Sequence, residues 1–471
     1  MLFNSFTFLV FFAIVLLIHR VSFSWTQKKI HLLLASYFFY AAWNPPFVVL
    51  LWISTAVDWL VGRRLHASDD AGTRKRLVAV SLAVNLGLLG YFKYAGFVLE
   101  NFVWLVQQLG FDYNPAAPSI ILPLGISFYT FQTLSYTLSI YRRDGEPADS
   151  LVDFALFVTF FPQLVAGPIV RATDFIVQLA TPKQADAQQL GWGLAMMNFG
   201  IFQKVVLSDT LLAPVADKVF GFPRIAGTVD AWIGSLAFSG QIFFDFAGYS
   251  SCAIGAALCL GFVLPENFRC PYASLGFSDF WRRWHISLST WLRDYLYISM
   301  GGNRAGAVRT YINLAATMLL GGLWHGASWT FVVWGGLHGF YLIVERALKA
   351  QFGGVALFHT AAFKILSYGS TFVVVTLTWV FFRAETVAQA TTLLATMFAD
   401  VPRRELSSGQ VNTVLIVVGV MLIAQLSLRN TDLERAFSRL PTLVKGPLLA
   451  LPILCLFAVP GDNRAFIYFQ F

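Results

Sequence analysis

Long apolar runs, separated by short polar intervals, set the pattern of this chain. They lie at 1–18, 30–57 (broken by Pro45 and Pro46), 77–92, 113–141, 154–170, 187–203, 231–264, 310–344, 365–382, 406–428 and 446–461. A helical membrane span needs about 20 mostly apolar residues, and the bilayer core accepts few charges. Several runs exceed one span and others fall short of one. The pattern therefore predicts an all-α polytopic bundle of about ten to twelve membrane helices with re-entrant pieces. A transmembrane β-barrel would show alternating segments of about ten residues, whereas VLIVVGVMLIAQLSL at 414–428 is continuous. The charged intervals are too short for a soluble domain, so residues 1–471 read as a single membrane-embedded domain without low-complexity tracts or a clear internal repeat.

Composition agrees. Apolar residues make up 57% of the 471 positions and charged residues only 12%, against roughly a quarter in soluble domains. The net charge of +8 fits membrane topology better than nucleic-acid binding, because basic residues favour cytoplasmic loops. Arg20 to Lys29, Arg63 to Arg76 and Arg142-Arg143 are basic, while Asn44 to Pro46 and Glu100 to Asp112 carry no Lys or Arg. Alternating these along the first spans predicts that the N-terminus faces outside. Met1 to Leu17 lacks the basic region of a cleavable signal peptide and reads as a span. Cys252, Cys259, Cys270 and Cys455 form no CxxC pair and read as packing residues.

Three polar intrusions stand out. In FWRRWHISLSTWLRDYLYI, at 280–298, a helical period puts Trp281, Trp284, Leu288, Trp291 and Tyr295 on one stripe, and Arg282, His285, Ser289 and Arg293 on another. An amphipathic helix at the cytoplasmic interface accounts for the tryptophans and arginines. It accounts less well for His285, since an imidazole adds little to anion binding near neutral pH. Asp245 is the only charge between Asp230 and Glu266, and a carboxylate at such depth is expected to face the protein interior, either as a functional group or as the partner of an arginine or a hydroxyl. His325 and His338 lie within the 310–344 run. Gly321, Gly322, Gly326 and Ala327 beside His325 permit a broken helix or close helix packing; His338 lies on a different face and reads as structural.

No HExxH and no His pair at i, i+4 supports a metal site, and neither a G-x-S-x-G elbow nor a P-loop is present. A buried histidine of near-neutral intrinsic pKa suits a general base. From the residues alone, the chain reads as a membrane-embedded general-base catalyst.

FFDFAGYSSCAIGAALCLGF, PENFRCPY, FWRRWHISLSTWLRDYLYISMGGNR, NLAATMLLGGLWHGASWTFVVWG and the terminal FIYFQF resemble the membrane-bound O-acyltransferase superfamily, in its bacterial polysaccharide-acetylating branch, and within it the membrane subunits of alginate O-acetyltransferases. ASYFFYAAW, LGYFKYAGF, LPLGISFYTFQTLSY, IYRRD and FPQLVAGPIVR extend the likeness over nearly the whole chain. The resemblance implies helices around a funnel, His325 as the catalytic histidine and His285 as a second essential one. It also implies acyl transfer from a cytoplasmic donor toward an acceptor outside. Arg282, Arg283, Arg293 and Arg304 are then expected to attract the phosphates of acetyl-CoA, with Asp245 and Ser289 in support. The expected partners are a periplasmic SGNH-type acetyltransferase and a polysaccharide-synthesis complex at the inner membrane. Alginate, a cellulose-like polymer, peptidoglycan and a serine on a partner protein all remain open as acceptors. A glycan-precursor transporter is the main rival, because intramembrane Asp and His also mark transport paths; a purely structural subunit leaves Asp245 and His325 without a purpose.

Overall fold

In a computed structural model, residues 1–116, 118–223, 226–353, 355, 360–459, 464, 466 and 467 are described, and among them all regular structure is helical. Six helical stretches are long and apolar enough to cross a membrane: Pro45–Ala67, Ala71–Gln108, Ala187–Gly221, Thr228–Cys259, Ala361–Arg383 and Ser408–Leu428. The remaining apolar runs are divided. The first forms the shorter Phe6–His19 helix, and the run at 310–344 folds into two helices, Gly306–His325 and Trp329–Phe352.

Local chemistry fixes several of these ends. Ser24 with Gln27 and Ser407 with Gln410 form capping boxes, in which the serine oxygen accepts the N3 amide and the glutamine accepts the cap amide. Gly125 opens the Ile126–Arg142 helix at φ 74°, with Leu164 O only 2.5 Å from where a Cβ would stand, so the turn needs glycine for both space and conformation.

The chain groups into two compact units, residues 1–193 with 253–265, and residues 194–252 with 266–471. The first is built around the Ile126–Arg142 helix, which is buried at nearly every position despite its Ser, Thr, Tyr and Gln content. Thr137 of this helix, with Ser81 and Asn85 of Ala71–Leu89, surrounds Asp58, fully buried on Val48–Ala67. Ser81 and Thr137 hydroxyls donate to one carboxylate oxygen, the latter at 2.8 Å, and Asn85 Nδ2 donates to the other at 2.7 Å. Three neutral donors replace the water the carboxylate gave up.

In the second unit the Gly306–His325 and Trp329–Phe352 helices approach to backbone contact. A Cβ on Gly322 would stand 2.3 Å from Phe331 O and 3.0 Å from Gly335 Cα, and one on Gly335 would stand 2.3 Å from Met318 O. These glycines serve close packing. Gly322→Ala is accordingly expected to cost about 1–3 kcal/mol, since backbone rather than a side-chain tip must give way. A lowered thermal midpoint of the purified variant in detergent checks this; an unchanged midpoint contradicts it.

Candidate active site

The aromatic and cationic stretch at 280–298 is not the single helix its periodicity predicts. It forms Phe277–Trp281, then a turn in which His285 takes the left-handed conformation at φ 43°, then Ile286–Trp291, continued by a wider π-helical stretch Leu292–Tyr297. Asn267 imposes the break from outside the stretch. Its backbone carbonyl accepts the Ile286 amide at 2.9 Å, and its side-chain oxygen takes the Ser287 amide at 3.3 Å and the Ser287 hydroxyl at 2.9 Å. Two residues along, the Arg269 amide donates to Arg283 O at 3.0 Å. The turn brings Trp284 and His285 inside together. Trp284 packs against Phe268, Phe280 and Trp379, with ring centroids 5.0, 5.7 and 4.9 Å away.

His285 is fully buried, which holds its pKa well below the usual imidazole value because the cation would lose its hydration. Its Nδ1 lies 3.1 Å from Asn267 Oδ1, and the Phe246 ring meets it edge-on at 4.6 Å. His325 is the last residue of the Gly306–His325 helix, which breaks at Gly326. The Phe331 ring fills the space a Gly326 Cβ would need, 2.1 Å away. The two imidazoles come within 6.3 Å, centroid to centroid. Trp324 touches both rings, and Trp334 and Phe382 enclose His325 at 5.1 and 5.3 Å. His338 lies behind Trp334, at 4.8 Å, and against Trp281. Its Nε2 is 3.2 Å from Thr378 Oγ1, whose own proton goes to Val375 O at 2.7 Å, so His338 is the donor.

Asp245 sits on the same helix as Phe246, but among the described residues it meets neither an imidazole nor an arginine. It pairs with Lys204 and accepts the Ile467 amide at 2.8 Å. Lys204 also pairs with Asp209 at 2.9 Å; the two are five residues apart on the π-helical stretch Gln203–Leu212, whose wider turn aligns that spacing. These residues line a polar cavity of about 120 Å³, where Arg383 and Arg464 both donate to Asp217, at 2.9 and 2.5 Å. Of the terminal FIYFQF, only Phe466 and Ile467 are among the described residues.

The arginines divide by role. Arg283 is committed to structure: it pairs with Asp279 at 2.9 Å and donates to Arg269 O and Arg429 O, while Arg429 takes the other Asp279 oxygen at 2.8 Å. Burial pushes the Asp279 carboxyl up, but the Leu275 amide, Arg429 and Arg283 together hold it below its usual pKa. Arg282, Arg293 and Arg304 are exposed, Arg293 beside Asp294 at 2.6 Å. Ser289 is half-buried and its hydroxyl donates to Trp284 O at 3.2 Å. The four cysteines are free thiols.

The profile of the membrane-bound O-acyltransferase family matches residues 148–387, the part of the chain that carries both histidines. The chain belongs to this family. It is 41% identical to a probable alginate O-acetylase AlgI of Azotobacter vinelandii over 407 residues, 84% of this chain and 79% of that protein. It is 39% identical to the peptidoglycan O-acetyltransferase of Helicobacter pylori over 400 residues, 78% and 73% of the two chains. A more distant likeness, 32% identity over 237 residues, 47% of this chain and 58% of the other, joins it to the teichoic acid D-alanyltransferase of Bacillus subtilis. This protein is thus an integral membrane O-acyltransferase.

Within this O-acyltransferase, the site also uses Asn267 and Trp334 beside the histidines and Lys204 beside Asp245, none of which was singled out from the sequence. Lys204 did leave a signal, as the only charge between Asp186 and Asp209. Asn267 left none that local periodicity could detect, because its bonds reach across to the turn at 285–287.

Proposed function

We propose that this enzyme takes an acetyl group from acetyl-CoA on the cytoplasmic side of the inner membrane, with its own N-terminus periplasmic, and passes it outward for O-acetylation of an exopolysaccharide of the alginate kind. The observation that carries this reading is the buried pair His285 and His325, with ring centroids 6.3 Å apart, on a chain segment that also carries the exposed Arg282, Arg293 and Arg304. The arginines suit the anionic donor. His325 takes the proton of an acceptor hydroxyl as its oxygen attacks the thioester carbonyl. The carbon–sulfur bond then breaks, and the proton passes to the departing thiolate, giving an O-acetyl ester and free CoA. His285 positions the thioester or relays that proton. A periplasmic acetyltransferase of SGNH type receives the acetyl group and delivers it to the polymer. Peptidoglycan as the final acceptor is the second reading, favoured by the 39% identity to the Helicobacter pylori enzyme.

Reconstituted protein given acetyl-CoA tests the proposal through release of CoA thiol that depends on an acceptor or partner. No acceptor-dependent release with either an alginate or a peptidoglycan system would remove it. For the donor site, Arg282→Ala or Arg293→Ala is expected to raise KM for acetyl-CoA several-fold with little change in kcat, the signature of lost ground-state binding. An unchanged KM assigns these side chains to lipid phosphates instead.

A further inference from the structure

Asn267 is 1% exposed and makes bonds through its backbone carbonyl and through both polar atoms of its side chain. Which way its amide faces is decided by an obligatory donor. The Ser287 backbone N–H points at Oδ1, so that atom must be the oxygen, and Nδ2 correspondingly donates to Ser250 Oγ at 3.0 Å. The ring nitrogen of His285 that meets the same oxygen at 3.1 Å is therefore also a donor. A neutral imidazole carries one N–H, so with the proton on Nδ1 the basic lone pair is on Nε2. The same residue holds His285 at φ 43° by fixing the backbone on its C-terminal side, through the Ile286 and Ser287 amides. Asn267 thus controls both which nitrogen is basic and where the ring stands.

We infer that Asn267 is a positioning residue for acyl transfer, which locks His285 as the Nδ1–H tautomer and presents Nε2 as the proton-accepting nitrogen beside His325. The role follows from an amide rather than a carboxylate: a neutral acceptor fixes the tautomer without the charge that would hold the ring as imidazolium, so His285 is unprotonated on Nε2 before transfer. Ser250 completes the arrangement by accepting a hydrogen bond from Nδ2, which keeps the amide from turning over.

The activity readout rests on the proposed acetyl transfer, whereas the tautomer can be read without it. In histidine-¹⁵N-labelled protein, with His285 identified by loss of its signals in His285→Gln, the wild type is expected to show a protonated Nδ1 and an unprotonated Nε2. Asn267→Leu is expected to show mixed tautomers and a kcat lower by about 10²-fold, within the range of proton-transfer contributions, with KM little changed. Ser287→Ala, which removes a hydroxyl bond to Asn267 but leaves the His285 contact, should keep kcat within about threefold. Asn267→Asp keeps the acceptor but favours imidazolium, so the acidic limb of kcat/KM should move to higher pH. An Nε2–H tautomer in the wild type, or a folded Asn267→Leu with wild-type kcat, overturns the assignment. Should Asn267→Leu fail to accumulate, an acidic limb in Asn267→Asp at the wild-type pH overturns it equally. Full activity in His285→Gln would instead sink the proposed role of His285 in transfer, and leave the tautomer result standing.

Discussion

Replacing His325 by glutamine is expected to lower acetyl transfer by about 10²–10⁴-fold, the usual contribution of a general base, or about 2.7–5.5 kcal/mol of barrier. The substitution is chosen for its surroundings. Trp324, Trp334 and Phe382 enclose the imidazole, so His325→Ala would open a hole among them and mix a packing loss with a chemical one. Glutamine keeps most of the volume and can still hydrogen-bond, but it cannot accept a proton near neutral pH. Membrane abundance and the thermal midpoint in detergent should therefore stay near wild type while CoA release falls. Retained transfer in a well-folded His325→Gln would remove His325 from the chemistry. A fall confined to KM would make it a binding group rather than a base.

The break after His325 was one of two readings the sequence left open, and its causes are local: Gly326 ends the helix and Ser328 caps the next. The apolar runs announced helices, since a bilayer leaves few other ways to satisfy a backbone. The turn at His285 was not legible. Trp281, Trp284, Leu288, Trp291 and Tyr295 do follow a helical period, and nothing within that stretch signals the break, which comes from bonds to Asn267 eighteen positions earlier. Periodicity describes one helix against one environment, and here the environment includes another piece of chain. The arginines teach the same lesson. Four looked equivalent as phosphate ligands, yet Arg283 is held by Asp279, four residues before it, and by carbonyls distant in sequence. The Asp279 spacing was available as a helical i, i+4 pair. The carbonyls were not.

Asp245 was expected to act as a functional group or to partner an arginine or a hydroxyl, and its pairing with Lys204 carries the second large expectation. Lys204 is 5% exposed and lies between Asp245 and Asp209, so Lys204→Met leaves two buried carboxylates without their shared cation. Breaking a buried ion pair from one side costs about 3–5 kcal/mol, because the surviving charge keeps its desolvation penalty and loses its partner. Asp245→Asn is expected to cost less, since Lys204 retains Asp209. Combining the two substitutions should recover part of the stability lost in Lys204→Met, because the double variant removes one buried negative charge along with the positive one. Thermal midpoints of the three variants in detergent give the coupling directly; strict additivity would show that Lys204 and Asp245 do not stabilise each other. Activity should follow the same order. Phe246, the residue after Asp245, packs on the His285 ring at 4.6 Å, and Phe466, the residue before Ile467, packs on Phe246 at 5.3 Å. A loosened ion pair therefore loosens one wall of the histidine site, and acetyl transfer in Lys204→Met should fall even in the fraction that remains folded.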